Sequence, residues 1–153
     1  MRQTPLRRPH GGSFLTLGYE GRTLEELLHV LRAHKVDVLV DVRQNAVSRK
    51  QGFSKRSLSE ALEGTGIEYC HEPLLGNPQS NREPFHQGSV RARRLYMEHL
   101  NNGSRAAFDT VVELAMRQRV ALLCFERDEA ACHRRCIIEQ AQEEYPALPS
   151  LAL

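Results

Sequence analysis

Apolar residues along the chain switch between two spacings. Residues 14–17 form a short apolar run that predicts a strand, and they lead into a loop, 18–22, that holds Gly18 and Gly21. Behind it Leu24, Leu27, Leu28 and Leu31 recur at helical spacing, so a helix is expected to about residue 35. Thr23 with Glu26 has the form of a capping box at its start. Residues 36–42, VDVLVDV, are β-branched and almost continuously apolar, the pattern of a strand covered on both faces of a parallel sheet. No helical period runs through the basic stretch 43–56, which reads as a loop. Ser57 with Glu60 repeats the capping-box spacing ahead of a short helix to Leu62, and Gly64 and Gly66 stop it. Residues 67–70 predict a third strand. Residues 72–89 hold three Pro, two Gly and two Asn and read as a long irregular segment. Loops of that length inside a small domain are usually functional or mobile.

Helices are expected over 90–100 and over 104–118, the second with Phe108, Val111, Val112 and Ala115 inward. Residues 120–125, VALLCF, predict a fourth strand. Asp128 caps a final helix over 129–144, whose buried stripe is Ile137, Ile138 and Ala141, and Tyr145 with Pro146 ends it. Strands alternating with helices imply a single α/β domain over 14–146. Its mainly parallel sheet of four or a few more strands is flanked by helices in a Rossmann-like three-layer arrangement. Residues 1–13, rich in Arg, Pro and Gly, are expected to be a flexible N-terminal tail, and 147–153 a C-terminal tail.

Composition narrows the class. The 153 residues are 41% hydrophobic and 26% charged, which is one domain with its own core. That balance excludes a disordered chain, a collagen-like repeat and a disulfide mini-protein. Without Trp, the core must come mainly from Leu, Val, Ile and Ala. The longest uncharged apolar run, 120–125, is far too short to cross a bilayer. The basic N-terminus has no apolar stretch behind it, so no secretory signal is read there. A cytoplasmic protein is therefore expected, with Cys70, Cys124, Cys132 and Cys136 as reduced thiols. The net charge of +2 says little about partners, but 18 of the 21 basic residues are Arg. Arg grips carboxylates and phosphates bidentately, and a skewed base composition enriches it as well.

In open parallel sheets ligands bind beyond the carboxyl ends of the strands. The residues predicted there are Gly18 and Tyr19, Asp41 and Arg43, Cys70 and His71, and Cys124, Glu126 and Arg127. Asp41 and Arg43 leave one face of a strand end, where they either position an anion or hold each other. Cys124 sits before a turn into a helix and near Arg127, a setting that favours a thiolate; the run VALLC reads equally as core. Glu126 shares the strand face of Cys124 and is a candidate general base, or a partner for Arg43 or Arg134. Cys132, His133 and Arg134 fall in the first turns of the last helix, whose N-terminus suits an anion. Cys132 is the less buried of the two candidate nucleophiles by position, and His133 and Asp41 would orient or shuttle protons. Cys132, His133 and Cys136 have helical spacings that permit chelation, but two or three ligands do not make a site, and neither metal nor cofactor is expected. Arg134 falls on the buried stripe and therefore needs a partner. Arg49 and Lys50, with Lys55 and Arg56, and separately Arg91, Arg93 and Arg94, either contact nucleic-acid phosphates or form solvated faces.

Seven segments taken in order resemble the domain of unknown function 488 family. They are Thr16 to Arg22, then Asp41-Val42-Arg43, then Ser48-Arg49-Lys50 with Gly52-Phe53-Ser54-Lys55. Gly66-Ile67-Glu68-Tyr69, Leu75-Gly76-Asn77, Leu123 to Arg127 and Cys132-His133-Arg134 follow. Ala46 stands where that family normally has Pro. The resemblance implies an α/β fold and a map of the site more than an activity. A second likeness, of arrangement only, is to rhodanese-like domains, through Asp41-Val42-Arg43 at a strand end and Cys124 ahead of a loop and helix.

The reading that unites these residues is an enzyme with a polar pocket at the strand ends, acting on an anionic or nucleobase-containing substrate, in nucleic acid or free. Glu126, Cys124, Cys132, His133 and Asp41 would carry the chemistry. Gly18, Tyr19, Arg43, Arg49, Arg127 and Arg134 would hold the substrate. The alternatives are a non-catalytic nucleotide or nucleic-acid binding module, and rhodanese-like sulfur transfer. The expected partners are an anionic small molecule, a nucleotide or nucleic acid, and no membrane.

Overall fold

A computed structural model describes residues 11–153. Five strands form one all-parallel sheet: β1 (Ser13–Gly18), β2 (Val38–Asp41), β3 (Glu68–His71), β4 (Arg119–Cys124) and β5 (Ser150–Ala152). Their order is β3-β2-β4-β1-β5, so β4 enters between the first two strands of the chain. The helices are α1 (Leu24–Ala33), α2 (Lys55–Leu62), α3 (Gln79–His86), α4 (Val90–Asn101), α5 (Arg105–Arg117) and α6 (Arg134–Glu144).

The period of two in the strands divides the core. Phe14, Val38, Val40, Val120 and Leu122 face one side, where Tyr96, Phe108, Val111 and Ile137 pack on them. Leu15, Leu17, Leu39, Ala121 and Leu123 face the other, with Leu27, Leu31 and Leu58. Both faces are covered, which is why the strands read as nearly continuous apolar runs. The register sets Asp41 beside Leu123, on the α1–α2 face, and Cys124 beside Gly18. Cys124 packs with the core on the opposite face. No helix among the described residues is long and apolar enough to cross a membrane.

Several elements differ from expectation, each for a local reason. Most of the expected N-terminal tail lies outside the described residues, but its last residue, Ser13, opens β1 and donates its amide to Gln118 O. Ser150–Ala152, inside the expected C-terminal tail, pair with β1 as an edge strand; three exposed residues leave no hydrophobic pattern to read. Ser54, not Ser57, caps α2, so the helix starts inside the basic loop. The segment 72–89 contains a 3-10 turn at Pro73–Leu75 and all of α3. Only Asn81 and Phe85 of α3 are buried, too few to show a helical stripe, and Pro84 argued against a helix.

The last helix is also shorter than predicted. Asp128 does cap, but it caps a single 3-10 turn, Glu129–Ala131, accepting from the Ala130 amide at 3.0 Å. Cys132 then takes extended backbone, φ −125° and ψ 147°, and α6 begins at Arg134. Cys132 and His133 are therefore junction residues rather than residues of a helix face.

Candidate functional site

A cavity of about 150 Å³ opens at the carboxyl ends of β1, β2 and β4. Tyr19, Arg43, Cys124, Glu126, Cys132 and His133 line it, as the strand-end argument anticipated. Gln44, Asn45, Asn77, Arg82, Phe85 and Phe125 complete most of its wall. Asn77 and Phe125 fall within segments that carried the family resemblance, without a role of their own; Gln44, Asn45, Arg82 and Phe85 were not singled out. Asn77, Arg82 and Phe85 lie in the segment taken as irregular, and only α3 carries Arg82 and Phe85 to the strand ends.

Asp41 is fully buried and does not line the cavity. Its carboxylate takes Arg43 Nε at 2.8 Å on one oxygen and Arg43 Nη2 at 2.6 Å on the other, with Tyr69 OH donating to the latter at 2.6 Å. Arg43 also donates to Phe53 O at 2.7 Å and to Tyr19 OH at 3.2 Å. Burial opposes the guanidinium charge, but Asp41 outweighs it and raises the Arg43 pKa further. Burial and the adjacent Asp41 also push the Tyr69 phenol up. Of the two roles open to this pair, the structure supplies the one in which the residues hold each other.

Cys124, Cys132 and His133 form a second group. The two sulfurs and one ring nitrogen of His133 all lie within 4.8 Å of one another, and all three residues are buried. His133 donates Nε2–H to Val42 O at 2.9 Å, because a carbonyl can only accept. That bond points Nδ1 at Cys132 Sγ, 3.6 Å away. Arg134 Nε donates to the same sulfur at 3.3 Å. Burial pushes the Cys132 thiol up, but Cys124, His133 and Arg134 outweigh it and hold Cys132 well below the usual thiol range. The same contact with Cys132, added to burial, raises Cys124. Burial alone would lower His133; the facing Cys132 sulfur reverses the sign. Of the two candidate nucleophiles, Cys132 has the surroundings of a thiolate and Cys124 those of a protonated thiol. Cys132 is nonetheless the more buried of the two, contrary to its expected position, because it lies at the junction before α6 rather than on an open helix turn.

Glu126, half-buried, lines the same cavity as this group. Its Oε2 is buried without a hydrogen-bond partner among the described residues. Burial, then Cys132, push its carboxyl above the usual range. The expected carboxylate pairing with Arg134 does not form: Arg134 donates Nη2 to the Glu126 backbone carbonyl instead. Arg134 is 1% exposed and does not line the cavity; it holds Cys132 and the Glu126 backbone, which do. Gly18 has a related role. A Cβ at Gly18 would stand 1.8 Å from Glu126 O, so glycine permits the close approach of β1 to the 126–127 backbone. Arg49 and Arg127 are exposed and outside the cavity wall. Cys136, buried in α6 and not part of the three-residue group, is pushed up to about 11 by burial.

A parallel α/β domain with a thiol- and imidazole-lined cavity at its strand ends is the class this geometry defines. Within it, the chain belongs to the family described as Domain of unknown function DUF488, whose pattern matches residues 23–141. That span takes in Asp41, Arg43 and every lining residue named except Tyr19. Among curated proteins, no match to the chain is found.

Proposed function

We propose that the chain is an enzyme that acts in this cavity on an anionic or nucleobase-containing molecule, with Glu126 as the group that moves a proton. The observation that carries the reading is the buried, unpartnered Oε2 of Glu126 at the cavity wall. A carboxylate left in that state destabilises the fold, so a structural role does not account for it. A module that only bound anions would gain nothing from it. The surroundings suit the substrate class. Phe125 is 45% exposed and offers a ring face for a planar base, and Asn45, Asn77 and Gln44 offer amides for its edge. Arg82 is exposed at the wall with only Nε and one Nη engaged, which leaves donors for an anion. Sulfur transfer through Cys124 has less support, because that thiol is pushed up rather than down.

Thermal melts of the full chain with nucleosides, nucleotides and short single-stranded oligonucleotides test the reading, with turnover followed by mass spectrometry. A binder should raise the melting temperature of the wild type and of Glu126→Gln alike, and only the wild type should convert it. Equal turnover by Glu126→Gln, or no stabilisation by any member of the panel, would overturn the proposal.

A further inference from the structure

The three donors at the cavity floor fit a metal ion more closely than their separate roles require. We propose that Cys124, Cys132 and His133 form a binding site for a zinc-class divalent cation, with the fourth position directed at the cavity beside Glu126. Two thiols and an imidazole are the donor types that zinc selects. A tetrahedral ion with ordinary zinc–sulfur and zinc–nitrogen bonds sets those two donors about 3.6 Å apart. Cys132 Sγ and His133 Nδ1 are 3.6 Å apart, and Cys124 Sγ lies within 4.8 Å of Cys132 Sγ and of a ring nitrogen of His133.

The supporting contacts point the same way. His133 gives its Nε2–H to Val42 O, which fixes the ring and leaves Nδ1 with its lone pair toward the sulfurs. Orientation of this kind is the usual outer support of a metal-bound histidine. Arg134 Nε donates to Cys132 Sγ, as amide and guanidinium groups do to metal-bound thiolates. The chain break at Cys132, between the 3-10 turn and α6, is what brings its sulfur to Cys124. Helical spacing permits chelation by Cys132, His133 and Cys136, although no metal is expected from it; the grouped donors include Cys124 from the end of β4 and not Cys136.

Glu126 is not one of the three grouped donors, yet it lines the same cavity with an unpartnered oxygen. Three protein ligands, an accessible fourth position and a carboxylate beside it make a catalytic rather than a closed structural arrangement. A divalent ion there would polarise a water or a substrate oxygen within reach of Glu126. This inference rests on the reading of the cavity as an active site and adds the ion to it.

The test uses the full reduced chain, stripped with a chelator and titrated with Co²⁺. One equivalent should bind, with a thiolate-to-cobalt charge-transfer band and the intense ligand-field bands of four-coordination, and Zn²⁺ should displace it. Cys124→Ala and Cys132→Ala should remove the charge-transfer band, His133→Gln should weaken binding by at least ~10-fold, and Cys70→Ala and Cys136→Ala should leave both unchanged. Where a variant does not fold, the wild type still decides: added Zn²⁺ should slow alkylation of Cys124 and Cys132 relative to the chelated protein and leave Cys70 unaffected. Absence of the band, or a band that depends on Cys70 or Cys136, would overturn the site. Glu126→Gln should keep the band and lose turnover. A missing band with turnover still dependent on Glu126 would sink the metal site alone; a normal band with no ligand from the nucleotide panel would sink the substrate reading alone.

Discussion

The ends of β2 and β4 carry the same kinds of residue and use them in opposite ways. At the end of β2, Asp41 and Arg43 pair through two bonds, and Tyr69, Tyr19 and Phe53 take up most of what remains. At the end of β4, Glu126 keeps a buried oxygen without a partner, and two thiols crowd one imidazole. Both places hold buried polar groups next to one cavity. The first is complete without a ligand and the second is not. Burial of charge is therefore common to both ends, and what separates them is how completely the buried groups are paired.

The largest expected effect is at Asp41. Asp41→Asn should destabilise by about 3–5 kcal/mol, because Arg43 loses its charge partner while buried. Urea denaturation of the reduced chain measures this, and a loss near zero would move Asp41 to the functional side. Gly18→Ala comes next, at about 1–3 kcal/mol, since the new Cβ must displace the Glu126 backbone. It should also disturb the thiol group, read as a changed alkylation rate at Cys132. Glu126→Gln should change stability by less than ~0.5 kcal/mol, because the substitution breaks no bond of Oε2 and removes a buried charge. A large fall in melting temperature for this variant would erase the contrast between the two strand ends.

A partly exposed pair sets the lower end of the scale. Arg105, then Gln140, hold the Glu144 carboxyl below the usual range. A folded-state pKa below the unfolded one adds stability that is complete above the unfolded carboxylate pKa and is lost as the pH falls through the folded value. The pair is partly exposed, so its worth is only about 0–1 kcal/mol. Acid titration of the melting temperature in Glu144→Gln, against the wild type, should show that small difference vanish at low pH.

How much of this was legible in the chain depends on the range of the interaction. The alternation of strands and helices, the Thr23 cap and the strand-end positions of Tyr19, Arg43, Cys124 and Glu126 follow from local spacing, and the structure keeps them. Arg134 on the buried stripe was also readable, because a charge among Ile137, Ile138 and Ala141 must be inside. Helix α3 was not, since two buried residues and an internal Pro give no period. With it went Arg82 and Phe85, which α3 brings to the cavity wall.

The sequence by itself determined the class of fold, through apolar runs of strand length covered on both faces, and it placed Tyr19, Arg43, Cys124 and Glu126 at the sheet's carboxyl edge. Tertiary structure decided what each one does there. Asp41 is fully paired because β3 carries Tyr69 alongside β2 and because Arg43 folds back onto it. Cys124 and Cys132 met because the chain breaks its helix at an extended residue, and His133 turned toward them because a carbonyl from the loop after β2 holds its other nitrogen. Pairing across 91 residues of chain leaves no mark in local spacing. It depends on how the strands are ordered in space, with β4 between β2 and β1.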